Sequence, residues 1–153
     1  MASLSFQQAF SYSLKLLSGR QYSESALLEK LQGKGCSKEL SREVADRLKE
    51  LNLLNDKTLA SAIVEDLTRY HPSGRRRIRT VLKKRKVPGD VVGELISKIH
   101  VEEESERAKA LAKKYDERWH ELPKMRRLKR IYDLLARRGF DFELCREIIE
   151  ELR

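Results

Sequence analysis

The 153-residue sequence is 37% charged, with 33 Lys and Arg against 24 Asp and Glu, a net charge of +9 and a mean hydropathy of −0.62. Regularly spaced Leu, Ile and Val exclude a disordered polar chain, and no stretch nears the roughly 20 apolar residues that cross a bilayer. Met1 to Phe10 has neither the basic start nor the apolar run of a secretory leader, so the expectation is a cytoplasmic protein.

In chain order, Ala9, Tyr12 and Leu16 fall at helical spacing and predict a first helix. Leu27 and Leu31 predict a second, and Cys36, Leu40, Val44 and Leu48 a third, with Gly33-Lys34-Gly35 as the turn between them. The same series returns 51 residues later. Ala60, Ile63 and Leu67 are followed by Ile78 and Leu82, the turn Arg85-Lys86, then Val87, Val91, Leu95 and Ile99. A third copy runs through Ala108, Leu111 and Tyr115, an insertion of about five residues, Ile131 and Leu135, the turn Arg138-Gly139, then Phe140, Leu144, Ile148 and Leu152. Ser37, Pro88 and Asp141 stand just after the three turns and are expected to start helices. Glu39 and Glu143 follow where the positive helix end favours acid.

These copies predict an all-α fold, a tandem array of three three-helix repeats over residues 1–54, 55–100 and 101–153, elongated and curved. The alternative is one compact bundle in which the repeat is only ancestral. No run alternates with the period of a strand.

Catalytic and cofactor chemistry finds no convergent set of residues. Cys36 and Cys145 lack C-x-x-C spacing and read as reduced packing residues. His71, His100 and His120 form no H-E-x-x-H pair, and Trp119-His120-Glu121 reads as a surface junction. Gly33-Lys34-Gly35 follows a helix rather than a strand, so it is no phosphate loop. Glu102-Glu103-Glu104 opens a helix, where the macrodipole favours negative charge. The chain is therefore expected to be non-enzymatic, with no cofactor and no metal.

Charge is the informative feature. Residues 72–100 carry a net +7, against +1 for residues 1–71, −2 for 101–122 and +3 for 123–153. At about 100° per residue, Arg75, Arg76, Arg79, Lys83 and Lys86 share one face of the second helix of copy two, beside the Ile78, Val81 and Leu82 stripe. Arg77 and Lys84 point to the other flank, and Arg85 lies near the stripe, where its stem can pack. In copy three the equivalent helix carries Lys124, Arg126, Arg127, Lys129, Arg130, Arg137 and Arg138, diluted by Asp133. Copy one keeps little beyond Lys30 and Lys34 and reads mostly as scaffold. The cluster reads as a solubilising face or as an anion-binding surface for nucleic-acid phosphate or an acidic protein groove. No aromatic interleaves with the Arg run, and Tyr70, Tyr115, Trp119 and Tyr132 are expected in cores or between units.

Several segments carry a family resemblance. Leu51-Asn52-Leu53-Leu54-Asn55-Asp56, followed by Leu59-Ala60, is similar to the glycine-x-leucine-aspartate-aspartate and phenylalanine-alanine pattern that begins the second repeat of RecX proteins. Gly74-Arg75-Arg76-Arg77-Ile78-Arg79 with Leu82, Arg85-Lys86-Val87, Leu135-Ala136-Arg137-Arg138-Gly139-Phe140 and the run Ser23 to Leu31 fit the same family. Arg75 replaces a common proline, Lys86 a glycine and Asn55 an aspartate. The resemblance implies a regulator, most often an inhibitor, of the RecA recombinase. Such a protein lies in the groove of the RecA–DNA filament and modulates ATPase, strand-exchange and coprotease activity in recombination, DNA repair and the SOS response. The expected partners are the RecA filament on DNA and, weakly and non-specifically, DNA itself, with no membrane and a monomeric chain. The expected contacts are Arg75, Arg76, Arg79, Lys83 and Lys86, with Lys124, Arg126, Lys129, Arg130 and Arg137 as auxiliaries. Competing readings are a direct DNA-binding protein using helix-turn-helix-like units and a pure protein adaptor.

Overall fold

The computed structural model describes residues 3–153; Met1 and Ala2, at the start of the first predicted unit, lie outside the described residues. The chain runs α1 (Phe6–Gly19), α2 (Glu24–Gly33), α3 (Lys38–Glu50), α4 (Asp56–Glu65), α5 (Arg75–Lys84), α6 (Gly89–Ser97), α7 (Val101–Arg118), α8 (Lys124–Arg137) and α9 (Phe142–Leu152). A π turn over Asp66–Tyr70 extends α4. No strand occurs among the described residues.

Local sequence explains the helix starts. Ser5, Ser23, Ser37 and Asn55 each accept a backbone amide three residues on, at 3.1–3.2 Å, and Asp141 accepts that of Glu143. Ser5 and Gln8 complete a capping box. Pro88 and Pro123 stand immediately before α6 and α8.

The three turns between second and third helices share one geometry. Gly35 (φ 106°), Lys86 (φ 58°) and Gly139 (φ 81°) occupy the same repeat position in the left-handed region. The next amide in each turn reaches back to a buried leucine carbonyl: Cys36 to Leu31 at 3.0 Å, Val87 to Leu82 at 3.1 Å and Phe140 to Leu135 at 3.2 Å. These bonds satisfy carbonyls that a helix end leaves open, and the paired apolar side chains seal the turn. Lys86 holds with a side chain a conformation that glycine adopts freely.

None of the eighteen apolar positions aligned between the second and third helices of the copies is exposed. They build three cores. The first gathers Ala9, Leu27, Leu31, Cys36, Val44 and Leu48; the second Ala60, Leu67, Ile78, Leu82, Val92 and Ile96; the third Ala108, Leu111, Ile131, Leu135, Phe140 and Ile148. The extensive helix packing falls within these triplets rather than between them. The surface of 9936 Å² is about a quarter above the roughly 8,000 Å² of a compact monomer of this mass, which favours an extended array over a single bundle. No helix among the described residues is long and apolar enough to cross a membrane.

Tyr115, Trp119 and Tyr132 pack on the third core as expected. Tyr70 does not: it is 66% exposed, because the π turn adds a residue after buried Leu67 and rotates the next side chains off the packed face. Cys36 and Cys145 are free and buried, and burial pushes both thiols up from their ordinary pKa. Both should resist iodoacetamide in the native protein and react promptly in denaturant; native-state alkylation at the rate of a free thiol would contradict this. Because the folded state holds these protons more tightly, their contribution to stability is complete below the free-thiol pKa of about 8.5 and declines above it.

Candidate interaction surface

The predicted basic face of α5 begins, with Arg75 and Arg76, at a junction. Gly74 N–H donates to Arg138 O at 2.9 Å, a main-chain bond between the second and third units. The backbones approach so closely that a Cβ on Gly74 would stand 2.3 Å from Gly139 O, and one on Gly139 would stand 2.4 Å from the Arg77 Cβ. Arg76 donates to Ala136 O at 2.7 Å and lies 4.4 Å over the Phe142 ring. Arg75 donates its amide to Glu104 Oε1 at 3.1 Å, brings its Nε within 3.3 Å of Glu104 Oε2, and donates through its guanidinium to Ile99 O. Arg107 Nη2 reaches Ser73 O at 3.3 Å, and burial lowers the pKa of that guanidinium. Arg75 and Arg76 thus bind α5 to the third unit.

The rest of the predicted set divides. Lys86 pairs with Glu29 of the first unit. Arg79 and Lys83, four apart on α5, are exposed, and among the described residues neither forms an ion pair. On α8, Arg130 lies 4.5 Å over Trp119, and Lys124 donates to Arg153 O at 2.8 Å. Arg127 is held by Asp116 at 2.8 Å and by the carbonyls of His120 and Leu122. Arg126, Lys129 and Arg137 remain exposed and, among the described residues, without an ion pair. The structure therefore does not gather the ten predicted residues into one site. Of those ten, it leaves Arg79 and Lys83 on α5 and Arg126, Lys129 and Arg137 on α8 exposed and, among the described residues, without an ion pair or other polar partner.

The family model for the first three-helix domain of RecX matches residues 9–48, and that for the third three-helix domain of RecX matches residues 102–149. The regulatory protein RecX of Chlorobium limicola is 33% identical over 155 residues, covering 99% of this chain and 94% of the relative. That of Chlorobaculum tepidum is 30% identical over 142 residues, covering 93% and 86%. The chain belongs to the RecX family. The crystal structure of RecX from Lactobacillus salivarius superposes with a TM-score of 0.78 at 21% identity, covering 96% of each chain, which supports the shared fold.

Set on the RecX repeat, one carboxylate position acquires a role that sequence reasoning missed. Asp56 and Glu104 both lie four residues before the fully buried alanines Ala60 and Ala108. Asp56 Oδ1 accepts the amide of Glu24, the first residue of α2, at 2.8 Å, as Glu104 accepts that of Arg75, the first residue of α5. The second helices of the first two units, α2 and α5, are thus each capped by an acid on the first helix of the following unit. The interface of the first two units is completed by Arg85 Nη2, which donates to Gln21 O at 2.6 Å, and by the pairing of Lys86 with Glu29. Glu104 is only 7% exposed, so the acidic start of α7 reflects more than the helix dipole.

Proposed function

We propose that this RecX-family protein regulates RecA as a non-enzymatic inhibitor. In this reading it is a cytoplasmic monomer that lies in the groove of the RecA–DNA filament and lowers ATPase, strand-exchange and coprotease activity. Full-length kinship with proteins named regulatory protein RecX is the observation that carries the reading. The exposed cations on α5 and α8 support it. Arg79 and Lys83, with Arg126, Lys129 and Arg137, offer unpaired donors to acidic protein surface or phosphate, while Arg75 and Arg76 fix how the second and third units are mounted. The bonded junction lets the two units span neighbouring RecA protomers as one body.

The test is RecA ATP hydrolysis on single-stranded DNA at matched salt. The unaltered protein should suppress it. Arg79→Glu, Lys83→Glu, Arg126→Glu and Lys129→Glu together should raise the half-inhibitory concentration at least about tenfold, a loss of about 1.4 kcal/mol in binding. No effect of the unaltered protein would sink the RecA reading, and full inhibition by the fourfold variant would sink the surface assignment.

A further inference from the structure

At the junction of the second and third units, a groove of about 490 Å³ opens between the starts of α5, α7 and α9. Its apolar lining is open to solvent: Val101 is 63% and Phe142 46% exposed. Asp141, Glu143 and Glu147 also line it, and among the described residues none of the three forms an ion pair. The two arginines in the lining are already engaged, Arg75 by Glu104 and Ile99 O, and Arg76 by Ala136 O and the Phe142 ring. The helix dipole accounts for Asp141 and Glu143 at the start of α9. It does not account for Glu147, one turn further on, at a spacing from Glu143 where like charges weaken a helix. A chain of net charge +9 thus presents an apolar surface edged with acid.

The equivalent groove between the first and second units is different. It holds about 300 Å³, and Gly89 stands at the repeat position of Phe142 and Lys57 at that of Ser105. Lys49 also lines it and pairs with Glu24. Docking of one unit on the next therefore does not itself require an open, acid-edged apolar groove. A second feature is likewise confined to the third unit. Helices α2 and α5 begin three residues before Leu27 and Ile78, whereas α8 begins seven before Ile131, so it carries an extra turn, Lys124 to Arg127. That turn presents Met125, at 73% the most exposed large hydrophobic among the described residues, between Lys124 and Arg126. Arg126 has no ion pair among the described residues, and Lys124 uses one of its three N–H groups on Arg153 O. The same bond places the start of α8 beside the end of α9. Met125 and Phe142 therefore lie at opposite ends of the unit, about 20 Å apart along the 14 residues of α8, and no copy can fill its own groove.

We propose that Met125 of one copy of this chain enters the groove of a second copy, against Val101 and Phe142, with Lys124 and Arg126 reaching Glu143 and Glu147. An unbranched thioether adapts to an irregular apolar gap and favours contact with an aromatic ring. The flanking charges are opposite in sign, in a protein whose overall charge otherwise repels its own copies. The contact joins two different surfaces, so it can repeat from copy to copy along a row. One side chain and a few ion pairs fall far short of the roughly 1,200 Å² of a stable interface. The chain therefore stays monomeric in dilute solution, and the contact takes effect where copies are held side by side and their effective concentration is high.

The test is sedimentation equilibrium of the full chain at physiological salt, with neither RecA nor DNA present. The weight-average mass should rise with concentration as for a dissociation constant between about 0.1 and 1 mM. Met125→Ser alone, and Glu143→Lys with Glu147→Lys, change exposed positions outside the three cores, and each should weaken association at least about tenfold. An equimolar mixture of the two variants should recover association but stop at the dimer, because one keeps its groove and the other its Met125. A mass that stays at 17.9 kDa up to about 1 mM would overturn the proposal. So would association of either variant at the original strength, or a mixture that stays monomeric where the unaltered chain associates. None of these residues is changed in the ATPase experiment, so the failure of either reading leaves the other standing.

Discussion

Gly139→Ala should lower stability by about 3 kcal/mol, whereas Gly35→Ala, at the same repeat position, should cost only about 1 kcal/mol. Both glycines have positive φ, so each replacement carries the left-handed penalty of an L residue. They differ in what the added Cβ meets. At Gly35 nothing lies within 4 Å, whereas at Gly139 the Cβ would stand 2.4 Å from both the backbone nitrogen and the Cβ of Arg77. Relief there requires the third unit to move away from α5, at the cost of the Gly74 to Arg138 bond. Gly74→Ala provides the complement. Its φ of −86° is ordinary, so its whole cost, about 2 to 3 kcal/mol, arises from the Cβ pressing on Gly139 O and Phe140 Cα. Chemical denaturation of the three variants measures the series. Equal losses for Gly35→Ala and Gly139→Ala would show that backbone conformation, not the approach of the units, sets the cost.

Glu104→Ala should destabilise by about 2 to 4 kcal/mol, and Asp56→Ala by about 1 kcal/mol. Each acid caps the second helix of the preceding unit, but α2 also has Ser23 as its own cap, while α5 begins after Gly74, which has no side chain to offer. Glu104 is also the only carboxylate beside Arg75 Nε, which among the described residues has no other polar partner. Removing it leaves a half-buried guanidinium with only the Ile99 carbonyl and, at the same time, opens a helix amide. Arg75 keeps about a third of its side-chain surface, so solvent offsets part of the loss and the lower half of the range is expected. Glu104→Gln retains an acceptor for the amide and should recover about half of the effect. Thermal unfolding reads both, at about 3 to 4 °C per kcal/mol for a chain of this length. A Glu104→Ala transition within a degree of the original would remove the acid from the junction.

The repeat was legible because it is written in apolar side chains, whose spacing reports directly on burial. Leu27, Ile78 and Ile131, each fully buried, mark the same slot in three sequences that otherwise share little. The helix starts at Ser37, Pro88 and Asp141 were legible for a local reason: Ser37 and Asp141 accept an amide within three residues, and Pro88 brings its own fixed φ to the start of α6. The fate of Arg75 and Arg76 was not. A helical wheel places both on a basic face, but the groups opposite that face come from residues 24 to 66 positions away in sequence. Asp56 and Glu104 kept the same spacing to their alanines, so a signal was present. It lay in charged residues at the start of a helix, where the macrodipole alone already accounts for acid. The groove beside Phe142 escaped notice because it needs Arg75 and Arg76 from the preceding unit to exist.

The forward-reaching carboxylate gives the array a direction in time as well as in space. As the chain leaves the ribosome, the first unit can bury its core before the second is made, yet the opening amide of α2 gains its partner Asp56 only when α4 emerges, and that of α5 waits for Glu104 on α7. Synthesis would then tighten each module one step behind its own appearance. A fragment cut after residue 100 would leave α5 open at its amino end and, through it, loosen a unit whose apolar core is complete.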